Sequence, residues 1–218
     1  MKTRENMLAY HGDPKIKRKY LARVRAHQKA DELLQGYGYW RNGKGCAVGC
    51  TVHCGDHGRY PVELGIPAEI AYLKDSIFDG MDKKLAQKWP ARFLSAIKPG
   101  ADLSRVYDLW CAWMLDDPID GVITRVSDDY PEMQKIVRKA AQDCRNGKRI
   151  NAAEAKRAVR AERATWVTWV AWAARAARAV EATWAAEAAR TARNARAASA
   201  AKQADKLIEL LKAAPVRQ

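Results

Sequence analysis

Asn151-Ala-Ala-Glu-Ala-Lys-Arg-Ala-Val-Arg160 opens a run that continues through Trp166, Trp169, Trp172 and Trp184 to Ala200, and 22 of these 50 residues are alanine. Neither glycine nor proline occurs from Lys148 to Ala214. Alanine has the highest helix propensity and nothing here breaks a helix, so the run reads as one long helix capped by Asn151 with Glu154 three residues on. About 48 helical residues extend roughly 70 Å at 1.5 Å each, whereas a body of about 150 residues is roughly 40 Å across. The body cannot cover such a helix. The tail therefore either folds back as a hairpin or packs against another chain, and the lack of an internal turn residue favours another chain.

The run is also a repeat: Trp169–Thr183 lies over Trp184–Ala198 in a 15-residue period, with Trp169 matching Trp184, Arg175 matching Arg190 and Arg178 matching Arg193. Fifteen residues in about four turns exceeds the 3.6-residue period and predicts a right-handed drift of the stripe. On a helical wheel Trp166, Trp169, Trp172 and Trp184 share a side with many alanines, the expected oligomer interface of a coiled assembly. Arg160, Arg163, Arg175, Arg178 and Arg193 stand opposite, free for nucleic acid or simply solvated. An interfacial membrane helix needs more apolar area than alanine supplies.

Working outward, the fold class is all-α, a small helical body carrying a long C-terminal Ala-rich helix. Charge divides the chain in three. Residues 1–45 hold eleven Lys/Arg against four Asp/Glu, residues 46–150 fifteen of each, and residues 151–218 thirteen against six. Basic flanks around a neutral body point to an anionic partner, with plain solubility as the alternative. The domain reading follows: 1–45 a basic helix and aromatic loop, 46–150 a neutral helical body with a Cys/His motif, 151–218 the basic oligomerisation helix.

Asp13-Pro14 is a helix start, an N-cap acid before proline, and the helix is expected to run to Leu34. Its apolar stripe, Ile16, Tyr20 and Val24, is narrow among Lys15, Lys17, Arg18, Lys19, Arg23, Arg25 and Lys29. The glycine-punctuated loop that follows offers Tyr37, Tyr39, Trp40, Arg41 and Lys44 as a ligand-binding set, rings to stack on a base or nucleotide and cations for its phosphate. The same rings would equally cover a core edge. A P-loop is excluded, since no Gly-Lys-Ser/Thr occurs.

Gly43 to His57 collects three of five cysteines and two of four histidines. As a helix it would bring Cys46, Cys50, His53 and His57 into a band of about 60°, with Cys54 at the margin. That stripe is a candidate site for zinc, or for lining a ligand pocket, against the alternative of cysteines filling a core. Downstream, Ile70, Leu73 and Ile77 mark a helix before Gly80, and Phe93, Leu94 and Ile97 a short one after Pro90. Leu103, Val106, Tyr107, Trp110 and Met114 give the clearest amphipathic pattern, and Met133, Ile136, Val137 and Ala140 another after Pro131. Cys111 and Cys144 read as core residues, and Asp116, Asp117 and Asp120 as an acidic turn. No stretch approaches the roughly 18 apolar residues of a membrane span and the start has no apolar leader, so a cytoplasmic protein with reduced thiols and no membrane partner is expected.

The string Lys44-Gly45-Cys46-Ala47-Val48-Gly49-Cys50-Thr51-Val52-His53, with Leu64-Gly65-Ile66-Pro67, Gly100-Ala101-Asp102-Leu103-Ser104 and the Ala/Trp-rich tail, resembles a family of uncharacterised proteins encoded in phages and bacteria. The resemblance covers most of the chain and brings no catalytic residue. It implies only a phage-related role, such as handling nucleic acid or interfering with a host defence pathway.

The functional expectation is a non-enzymatic homo-oligomeric protein that binds an anionic ligand, nucleic acid or a phosphorylated nucleotide. Two alternatives stay open: a metal- or thiol-dependent enzyme centred on Cys46 to His57, and a purely structural coiled assembly. Whether the chain is an enzyme is undecided, with the balance against, because one helix offers two or three ligands and no second cluster lies elsewhere.

Overall fold

The computed structural model describes residues 7–36, 40–148 and 182–217. Among them the chain is mostly helical: eight α-helices and one two-stranded hairpin. The helices are α1 (Pro14–Lys29), α2 (Gly49–Val52), α3 (Arg59–Leu64), α4 (Ala68–Gly80), α5 (Lys83–Ala96), α6 (Val106–Asp116), α7 (Pro131–Arg145) and α8 (Ala182–Ala213); the strands are β1 (Trp40–Arg41) and β2 (Lys44–Gly45). No helix of the described residues is long and apolar enough to cross a membrane. The helices group into two units, Met1–Trp110 with Arg196–Gln218, and Cys111–Ala195. These boundaries differ from the charge divisions at 45 and 150. Charge records what a surface meets, whereas units follow packing.

In the first unit α1 starts as its sequence predicts, the Asp13 carboxylate accepting the Lys15 amide at 2.7 Å with Pro14 at the first position. It ends at Lys29 and not at Leu34, because Asp31 takes a left-handed conformation, φ 56°, and turns the chain back. Tyr20, Val24 and His27 are its buried seam. Helix α5, by contrast, is longer than expected. It begins at Lys83, where the Asp82 carboxylate caps the Lys84 amide, and continues through Pro90 instead of starting after it. Trp89, Phe93 and Leu94 carry it into the core.

The buried cluster of this unit joins α1, α4 and α5 to the last turns of α8, through Ala204, Leu207, Ile208 and Leu211. The apolar patch at the end of the Ala-rich segment is therefore core of the first unit. Next to it Ala9 donates to the Ala101 carbonyl at 2.9 Å and Asp102 to the Pro215 carbonyl at 2.8 Å, so segments near both ends of the chain meet residues 100–102. Asp102 also takes the Arg217 guanidinium. Gly65 sits in the left-handed region, φ 59°, where a Cβ would stand 2.1 Å from the Leu8 carbonyl oxygen.

Lys74 of α4 is fully buried among these helices. Its Nζ donates to the Ala47 carbonyl (2.9 Å), Thr51 Oγ1 (2.8 Å) and Tyr60 Oη (2.6 Å), and stands 5.4 Å from the Phe93 ring centroid. All three ammonium protons are thus used. Burial still favours the neutral amine and brings its pKa down to about 7.

The second unit holds the end of α6, a single 3-10 turn over Val122–Arg125 and α7, and its buried apolar residues among those described are Ala112, Val137, Ala141 and Cys144. Arg145 grips Asp116 with both guanidinium nitrogens. The tryptophans Trp166, Trp169 and Trp172 and the arginines Arg160, Arg163, Arg175 and Arg178 lie outside the described residues; Trp184 and Arg193 fall on α8.

Candidate functional site

The Cys/His run does not form one stripe. Its helix is the single turn α2, which His53 ends in a left-handed conformation (φ 55°, ψ 36°), so the residues beyond it leave the helical register. Cys46 and Cys50 are both buried. The Cys50 thiol faces the Gly45 carbonyl at 3.4 Å, while Cys46 Sγ accepts the Gly49 amide and lies beside Asp75. Burial pushes both thiols up to about 12. They stay protonated at neutral pH, whereas the nucleophilic and ligating form of cysteine is the thiolate. His57 is buried too, stacked on Tyr72 (centroids 4.0 Å apart, 7° between planes) with Nε2 3.4 Å from Asp75 Oδ2. Cys54 is half-buried at the margin. Of the four candidate ligands, Cys46 and His57 share Asp75, Cys50 turns to backbone and His53 points elsewhere. Among the described residues no group of three or more His, Cys, Asp or Glu side chains is placed to hold a metal ion.

His53 meets His27, 26 positions back, which sequence reasoning missed. The two Nε2 atoms lie 2.8 Å apart. His27 occupies the last turn of α1; the chain then reverses at Asp31 and brings Glu32 back so that its Oε2 accepts from His27 Nδ1 at 2.6 Å. The carboxylate fixes the tautomer. With both rings neutral, His27 keeps its proton on Nδ1 and His53 donates through Nε2. Desolvation first, then the charges of Arg23 and His27, hold His53 below its ordinary 6.5. The residue is exposed as a whole, but its ring is covered on one face by Trp40, stacked at 4.6 Å and 13°.

Trp40 is held there by the hairpin. Trp40 pairs with Gly45 and Arg41 with Lys44, leaving Asn42-Gly43 as a two-residue turn with φ 51° and 79°. Positive φ at both positions is the type I′ turn that Asn-Gly favours, and this dipeptide was the available signal for strands in what reads as a loop. Gly45 donates to the Glu32 carbonyl and accepts from Leu34, which ties the hairpin to the segment after α1. Of the predicted ligand-binding set, Trp40 is half-buried against the histidines, Arg41 and Lys44 are exposed, and Tyr37 and Tyr39 lie outside the described residues.

The outer face of α1 is uniformly cationic. Over 16 residues it carries seven Lys/Arg and no acid. At 100° per residue Lys15, Arg18, Arg25 and Lys29 fall within about 80°, a band that Ala22 and Ala26 share and widen to about 100°. All six are exposed, and none of the four cations has an ion pair among the described residues. Arg23 and Lys17 instead serve packing: Arg23 donates to the Thr51 carbonyl at 2.9 Å, and Lys17 to the carbonyls of Ser95 and Ile97. Comparison with protein-family models, with curated proteins and with solved structures finds no match for the chain.

Proposed function

We propose that the protein binds nucleic acid, and that the outer face of α1 with the hairpin cations Arg41 and Lys44 is the contact surface. The observation that carries this reading is the cationic stripe of α1, which has no acidic residue along the helix to neutralise it. A soluble helix usually mixes both signs for i,i+4 pairing, so an unpaired run of one sign is a field aimed outward. Sixteen residues make a helix about 24 Å long, enough to follow about seven phosphates of one strand at 3.4 Å each. Ala22 and Ala26 add no bulk between the cations, which lets the helix backbone approach a phosphate chain. The arrangement supports backbone contact, which gives affinity and salt dependence without base readout.

Fluorescence anisotropy of a labelled duplex, titrated from low to physiological salt, tests it. Wild-type binding should fall linearly in log–log form. A Lys15→Gln, Arg18→Gln, Arg25→Gln, Lys29→Gln variant should flatten the slope by about 3.6, since each of the four phosphate contacts contributes about 0.9. Absence of binding at low salt, or an equal slope in the variant, would remove α1 as a nucleic-acid surface.

A further inference from the structure

We infer that His27 and His53 form a binding site for a borderline-soft divalent cation, zinc being the representative, with Glu32 as the outer carboxylate that orients His27. The site draws only His53 from the Cys/His run; its second ligand comes from the end of α1.

Three features point to it. The rings present Nε2 to Nε2 across 2.8 Å, His53 donating and His27 accepting, so that once the His53 proton moves to its Nδ1 both Nε2 lone pairs face one gap. Tetrahedral zinc with Zn–N near 2.05 Å sets its nitrogens about 3.3 Å apart, an opening of about half an ångström from the present separation. His53, an exposed residue just past α2, has room for that shift. Secondly, the Glu32 carboxylate takes the other ring nitrogen of His27 at 2.6 Å, the outer hydrogen bond that ligating histidines use to fix tautomer and orientation. Thirdly, the pair is stiffened: Trp40 stacks on His53 at 4.6 Å and meets the His27 ring edge-on at 5.5 Å. Two neutral imidazoles suit zinc, copper(II) or nickel and not magnesium or calcium, which take oxygen ligands. Two protein ligands leave two tetrahedral positions for water or an added anion.

The test is a zinc titration of the full chain by calorimetry at pH 7.5, with electron paramagnetic resonance of the copper(II) adduct. One equivalent should bind at sub-millimolar zinc, and the copper spectrum should show coupling to two imidazole nitrogens. His53→Gln, at an exposed position, should abolish both while leaving the circular dichroism unchanged. Glu32→Gln should weaken binding about tenfold, as loss of an outer hydrogen bond does elsewhere. Cys50→Ser and Cys54→Ser should bind as wild type. No uptake at sub-millimolar zinc, undiminished uptake in His53→Gln, or loss of uptake in a cysteine variant would each overturn the assignment. Because the probe is the metal alone, the result is independent of nucleic-acid binding.

Discussion

Replacing Lys74 with methionine separates the cost of a buried charge from the value of the hydrogen bonds that hold it. In the folded protein burial brings the ammonium pKa from 10.5 to about 7, so between those values the unfolded chain binds more protons than the folded one. Stability from this group therefore rises with pH across that window, and the penalty is fully present below about pH 7. A depression from 10.5 to about 7 corresponds to on the order of 5 kcal/mol at low pH, relieved by at most about 1.4 kcal/mol per pH unit. Methionine is unbranched like lysine, ends one atom short of the Nζ position and removes the charge. The groups it leaves retain partners in one another, since Thr51 Oγ1 already donates to the Ala47 carbonyl at 2.7 Å and interacts with Tyr60. Apolar replacement of a buried ionic group is often neutral or stabilising by about 1–4 kcal/mol. Urea unfolding followed by circular dichroism at pH 6, 7, 8 and 9 should show Lys74→Met more stable than wild type at pH 6, with the gap closing above pH 7. Taking the difference at each pH cancels the other titrating groups. A gap that stays constant from pH 6 to 9 would show that the ammonium remains charged in the core throughout, and the burial argument would fail.

Gly65→Ala should be among the most destabilising single substitutions, by about 3 kcal/mol or more, because the new Cβ meets the Leu8 carbonyl and the left-handed backbone penalises any side chain; thermal melting checks this, and a shift no larger than that of a surface alanine refutes it. Titration with an aromatic disulfide at pH 8 should label Cys54 and Cys111 in the native protein and leave Cys46, Cys50 and Cys144 silent until denaturant is added, since burial holds Cys46 and Cys50 as thiols up to about 12. Native-state labelling of either of those two, mapped by mass spectrometry, would contradict the packing around α2.

Periodicity made α4, α6 and α7 readable as helices, although only α4 buries its apolar face fully: α6 buries Val106 and Ala112 with its aromatic side chains half-covered, and Ile136 of α7 is exposed. The start of α1 was equally plain, since Asp13 and Pro14 act locally. Its end was not: Gly36 is the obvious stop, but Asp31 adopts the left-handed conformation five residues earlier. Pro90 was read as the beginning of a helix, whereas Asp82 supplies the earlier cap and the core packing of Trp89 and Phe93 carries the helix through the proline. The Cys/His stripe failed for a related reason. Its spacing is helical, but the helix lasts four residues and His53 turns out of it. The His27 and His53 pairing depends on a tertiary contact between the end of α1 and the end of α2, and no local rule announces a contact 26 positions apart.

The last turns of α8, with Ala214 just beyond them, are synthesised after every other part of the first unit's core. Leu207, Ile208 and Leu211 complete a core whose other members were translated as much as two hundred residues before, and Pro215 closes against Asp102. Until those last turns leave the ribosome, α4 and α5 lack part of the apolar cover they have in the finished protein, and the Asp102 amide lacks its acceptor. The first unit is therefore bound to be completed late, by closure of a very long loop. Such closures are slow, and the waiting surface invites chaperones or unwanted partners.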